Sequence, residues 1–188
     1  MINIADDMRF YETFYGIDYD DWLTNFGSFS NTTKILVKDY ISDACTTTET
    51  SIATDGVIHK FLYQHHTKKK YFVEGVIDGQ ITVVSSGATS TLTSYRVTLS
   101  KVNEDTTETE LFTTGWVVVN DTLAWDAVNS VGSEIVYAFW IDAWQYETLT
   151  DKDRFYVKVE VDGDTNCRLY HSNSATWEDL RVNIPFRL

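Results

Sequence analysis

The residues most able to do acid–base or metal chemistry in this chain are its four histidines, His59, His65, His66 and His171. His65 and His66 are adjacent, so on a strand end their rings point to opposite faces and cannot both ligate one ion without a bend. Lys68, Lys69 and Lys70 follow, and the stretch reads as a charged loop tip, since zinc ligands recur at tighter spacings. Two acidic runs, Asp18-Tyr19-Asp20-Asp21 and Asp162-Gly163-Asp164, present carboxylate oxygens of the kind calcium takes. Neither has the EF-hand loop with its closing Glu, and turn chemistry accounts for the second. No GxSxG, HExxH, P-loop or GxGxxG occurs. A glycosidase would need two carboxylates about 5–10 Å apart across a cleft, and no spacing among the 28 acids marks such a pair. The expectation is a chain that is not an enzyme and carries neither metal nor cofactor.

Aromatic residues offer a different chemistry. Trp140, Trp144 and Tyr146 fall in phase if they share one strand, and an exposed aromatic row on a sandwich face can stack on sugar rings. The competing reading places these rings in the core beneath a central strand. Apolar residues on both phases of Ile135 to Trp144 favour the core.

The elements that must position these groups are strands. Thr93, Tyr95, Val97 and Leu99 alternate with Ser94, Arg96, Thr98 and Ser100. Phe155, Val157, Val159 and Val161 alternate with Tyr156, Lys158 and Glu160. A period of two marks sheets with one buried side. Asp78-Gly79, between apolar runs, is the strongest hairpin signal, and 121–131 allows one short helix. About ten short strands without a βαβ rhythm predict an all-β fold, an antiparallel β-sandwich of jelly-roll type.

Composition agrees. Hydrophobic residues make up 43% and aromatics 14% of 188 residues, which suits one β domain with a real core. The formal net charge of −13 disfavours nucleic-acid and anionic-membrane partners. No apolar run reaches the length of a membrane span, and the first residues lack the features of a signal peptide. Cys45 and Cys167 form no metal spacing and read as two buried thiols, with one bridge as the alternative.

Residues 1–33 differ from the sandwich expected over 34–188. Phe10, Tyr11, Phe14, Tyr15, Tyr19 and Trp22 crowd this stretch, spaced by aspartates, and no single period holds across it. Aromatics this dense are rarely left in water. The segment is expected to be irregular, either wrapping its own domain or docking as an arm on a neighbouring subunit.

One resemblance adds to this reading. The strand Tyr95-Arg96-Val97-Thr98-Leu99-Ser100-Lys101-Val102-Asn103, the apolar stretch Ile135 to Ile141, the connection Glu147 to Asp153 and the Arg-led strand Arg154 to Val161 look like the jelly-roll accessory virion proteins of tailed bacteriophages. The likeness covers roughly residues 90–165. It implies a structural, non-enzymatic virion component (capsid decoration, neck or tail) that assembles as a homo-oligomer and docks on other virion proteins, with the aromatic arm as its clasp. A carbohydrate-binding sandwich module, with glycan as partner, is the alternative.

Overall fold

The computed structural model describes residues 9–17, 33–37, 48–51, 57–63, 71–103, 107–149, 153–171 and 180–187. These form fourteen strands and no helix among the described residues. In chain order they are β1 (Arg9–Ile17), β2 (Thr33–Val37), β3 (Thr48–Ser51), β4 (Val57–Tyr63), β5 (Tyr71–Ser85), β6 (Ser90–Val102) and β7 (Glu108–Thr113). β8 (Val117–Leu123), β9 (Trp125–Asp126), β10 (Val131–Gly132), β11 (Glu134–Leu149), β12 (Arg154–Gly163), β13 (Cys167–His171) and β14 (Arg181–Arg187) follow. The fold is an all-β sandwich, as the alternation predicts.

Twelve strands share one hydrogen-bonded sheet in the order β3-β13-β5-β14-β1-β2-β4-β12-β6-β7, with β11 added on β5 and β8 on β6. Pairing is antiparallel except between β2 and β4. The sheet folds over so that one layer, around β5, β11 and β14, faces another, around β4, β12 and β6. One core fills the gap, with Ile77, Ile81, Phe139 and Ile184 from the first layer and Phe61, Val97, Leu99 and Val159 from the second. Phe155, Val157, Val159 and Val161 all point inward, as their spacing requires.

Several expectations need correction. Asp78-Gly79 is not a hairpin; β5 runs straight through it. A Cβ on Gly79 would lie 2.1 Å from the Arg181 carbonyl oxygen and 2.6 Å from Phe139 Cζ. The glycine is there because backbone and ring press onto it, not because the chain turns. The short helix at 121–131 is absent: β9 and β10 pair there, and the Asp126 carboxylate accepts the Val128 and Asn129 amides, closing an Asx-type turn. β11 is not a strand covered on both faces. Among the described strands it pairs in the ladder with β5 alone, and Val136, Ala138, Trp140 and Asp142 are exposed.

Part of the segment expected to be irregular is a regular strand. β1 pairs with β14 from Arg9↔Arg187 to Tyr15↔Arg181 and, on its other edge, with β2 from Tyr15↔Val37 to Ile17↔Ile35, so 9–17 belong to the same sheet as the rest. Phe14 is fully buried, edge-on to Phe155 at 5.1 Å and Tyr63 at 5.0 Å. Phe10 packs on Phe186 at 5.8 Å. Irregular spacing beyond Ile17 hid the short period-two register of Phe10, Glu12 and Phe14.

Candidate functional site

The two outer faces of the sandwich differ in chemistry. On the layer of β4, β12 and β6, Glu108 accepts a hydrogen bond from Lys60 at 2.8 Å and pairs with Lys158. Lys60 also sits over the Tyr156 ring, 5.6 Å from its centroid. Burial, with Glu108 nearby, pushes the Tyr156 phenol up to about 12. Arg96 grips Glu160 with two bonds of 2.6 and 2.7 Å and lies over the Trp116 ring at 4.9 Å. These groups satisfy one another.

The opposite face carries an open aromatic–polar row. Trp140 on β11 stands opposite Asp78 on β5, Asp78 opposite Asn183 on β14, and Asn183 opposite Thr13 on β1. Asn183 Nδ2 donates to Asp78 Oδ1 at 2.6 Å, and the Thr13 hydroxyl donates to Asn183 Oδ1 at 2.8 Å. Trp140 is 69% exposed. Its exposure follows from the pleat: Tyr137, Phe139, Ile141 and Ala143 take the buried phase of β11, so Trp140 must take the other. Two tyrosines fix β11 against the facing layer. Tyr95 Oη donates to the Ala138 carbonyl at 3.1 Å, and Tyr137 Oη donates to Asp121 Oδ2 at 2.9 Å.

Neighbouring rows extend the surface. Ala138, Gln80, Arg181 and Tyr15 align on one side. On the other side Asp142 stands opposite Val76, and Tyr11 stands opposite Pro185. An indole face beside a carboxylate, an amide and a hydroxyl supplies stacking area together with acceptors and donors in a line. That combination suits reversible binding of a ligand with an apolar ring face and hydroxyl edges.

No protein-family model and no curated protein sequence matches the chain. Solved structures match its fold. An aminopeptidase from a marine sediment Thaumarchaeota archaeon aligns at a TM-score of 0.61, with 9% identity over 96% of this chain and 37% of that one. A CocE/NonD family hydrolase from Staphylococcus aureus aligns at 0.53, with 11% identity over 96% and 37%. This chain thus spans little more than a third of the length of those enzymes. An infectious bursal disease virus Gx strain structure aligns at 0.37 with 11% identity, over 96% of this chain and 38% of that one; a likeness that weak carries no argument.

These matches correct the expectation that the chain is not an enzyme. The architecture is one that an aminopeptidase and a hydrolase contain. That expectation rested on missing linear motifs, and catalytic groups brought together from separate strands leave none.

The structure places the sequence-predicted residues as follows. Trp140 is on the surface, which corrects the core reading for this ring. The register slips between Ala143 and Glu147, interrupting the alternation that would align Trp144 and Tyr146 with it; the side chains of those two lie outside the described residues. Of the expected assembly arm, Phe10 and Phe14 pack inward, so they are not free to clasp a neighbour. Tyr11 is exposed and Tyr15 half-buried on the same outer face as Trp140. Tyr19, Trp22, His65, His66 and Cys45 lie outside the described residues. Cys167 is a free, buried thiol, which burial pushes above its ordinary pKa. Asp164, in the predicted turn, accepts the Thr91 amide at 2.7 Å. Asp78, Asn183 and Thr13 were missed. Thr13 and Asn183 are 170 positions apart, and only strand pairing makes them neighbours.

Proposed function

We propose that this chain is a β-sandwich binding module whose β11-β5-β14-β1 face recognises carbohydrate. The observation that carries it is the exposed Trp140 ring at the end of the Asp78–Asn183–Thr13 hydrogen-bonded row. A pyranose ring has one apolar face to lie on an indole and hydroxyls at its rim to exchange bonds with carboxylate and amide. Those polar groups are already held in place by one another, so binding orders few side chains. An array of neutral and acidic glycans tests it. The intact chain should bind a subset, and Trp140→Ala should lose about tenfold or more in affinity; equal binding by both proteins would overturn the reading.

A second reading is a structural component of a virion, in particular a bacteriophage, that self-associates and docks on other virion proteins. Apolar side chains on two outer strands favour it: Val118 on β8 and Val136 on β11 are both exposed. Exposed strands of this kind offer surfaces for a second copy. Light scattering after size exclusion tests it. A closed oligomer that Val118→Lys disperses supports this reading, and a monomer at high concentration with no affinity for virion shells overturns it.

A further inference from the structure

We infer that the ligand of this face is an extended, uncharged oligosaccharide laid across the strands, anchored at one end by Trp140 and at the other by Tyr11. This rests on the carbohydrate reading above and names its ligand class. Tyr11 is 62% exposed and stands opposite Pro185. Its hydroxyl lies 3.8 Å from the position a Cβ on Gly75 would occupy, and the Pro185 ring 3.3 Å from it. The phenol therefore reaches over β14 to β5. Gly75 has φ +133, a conformation L side chains rarely adopt, so the backbone there holds no side chain beneath the Tyr11 hydroxyl.

The Tyr11 hydroxyl lies over Gly75, three residues along β5 from Asp78, the residue opposite Trp140, so about 10 Å of strand separates the two anchors. One sugar ring cannot touch both aromatics. Asp78 and Val76, the latter 43% exposed, lie in the interval on β5, and Asn183 and Thr13 continue from Asp78 in hydrogen-bonded succession beside it. Both anchoring rings, Trp140 and Tyr11, are exposed, which admits a segment from within a chain as readily as a terminal unit.

Charge selects further. Asp78 stands across from Trp140 and Asp142 follows it two residues on, on the same face. The whole chain carries −13. Among the described side chains, the cations on this face are Arg187, tied to Glu74 at 2.9 Å, and Arg181, which lies beyond Asp78 on the side away from Trp140. Carboxylates beside the stacking ring repel uronate or sialate groups, so the face takes neutral sugars.

Calorimetric titration of the intact chain tests this, with glucose, mannose and N-acetylglucosamine, their linear hexasaccharides, and a uronic-acid hexasaccharide. At least one neutral hexasaccharide should bind about a hundredfold tighter than its monosaccharide. Tyr11→Ala should weaken the hexasaccharide about tenfold and leave the monosaccharide unchanged, while Trp140→Ala weakens both. Both side chains are exposed, and an unchanged melting temperature confirms that each variant folds. Equal affinity for one ring and six, an unaffected Tyr11→Ala, or tighter binding of the acidic hexasaccharide would overturn this inference while leaving the carbohydrate reading in place. Failure of every sugar to bind would overturn both.

Discussion

Asn183 Nδ2 donates to Asp78 Oδ1 at 2.6 Å, joining β14 to β5 across 105 positions of sequence. The same amide accepts from Thr13 with its oxygen, so its orientation is fixed from both sides. Asn183→Ala leaves the Asp78 carboxylate without this donor and should cost about 1–2 kcal/mol of stability. Asn183→Asp places two carboxylates in contact and should cost more at neutral pH than at pH 3. Denaturant unfolding of both variants at the two pH values checks the order.

Gly79 is required by close approach. Gly79→Ala drives a methyl into the Arg181 carbonyl and the Phe139 ring and should destabilise by about 3 kcal/mol. Gly87, whose Cβ would meet nothing within 4 Å but whose φ is +85, serves as a comparison. Its alanine variant should cost only about 1 kcal/mol. Thermal unfolding of the pair separates packing from backbone strain.

Phe14 belongs to the core of its own chain. Phe14→Ala should cost about 3–5 kcal/mol, with Tyr11→Ala within about 0.5 kcal/mol of the parent. Unfolding measured over a hundredfold range of protein concentration makes the test specific. A Phe14→Ala cost that grows with concentration would mean that the ring is buried in an oligomer instead.

Glu108 gives a pH dependence. Burial alone would raise its carboxyl pKa, but the bonds from Lys158 and Lys60 outweigh that and hold it below the ordinary value. A carboxyl depressed in the folded state stabilises it above the unfolded pKa, and the benefit disappears as pH falls through the folded value. Glu108→Gln should therefore be less stable than the parent at pH 7, and the two should converge as pH falls through the depressed folded value. Parallel melting curves across that range check the sign.

Strand chemistry was legible in the sequence wherever one face is buried. Phe155, Val157, Val159 and Val161, with Tyr95, Val97 and Leu99, lie inward as their alternation requires. The expected single buried side needs correction, because Ser94, Thr98, Ser100, Tyr156 and Glu160 on the opposite phase are buried too. β11 misled because its outward positions are also apolar: Val136, Ala138 and Trp140 look like a second buried face. Asp78-Gly79 misled because a glycine placed for a close approach has the same letters as one placed for a turn. The candidate site was half legible. Trp140 and Tyr11 stand out by residue type, but an asparagine and an aspartate gain meaning only when register sets them side by side. The charge pairing that closes the opposite face, Lys60 and Lys158 on Glu108, is equally a product of three strands meeting.

The carbohydrate platform is tested most directly by titrating neutral hexasaccharides into the intact chain and into Trp140→Ala, following indole emission and heat together. Saturable binding to the intact chain, with an emission shift and an affinity about tenfold or more weaker in Trp140→Ala, is the predicted result. No saturable heat with any of them, or the same curve for both proteins, would contradict it.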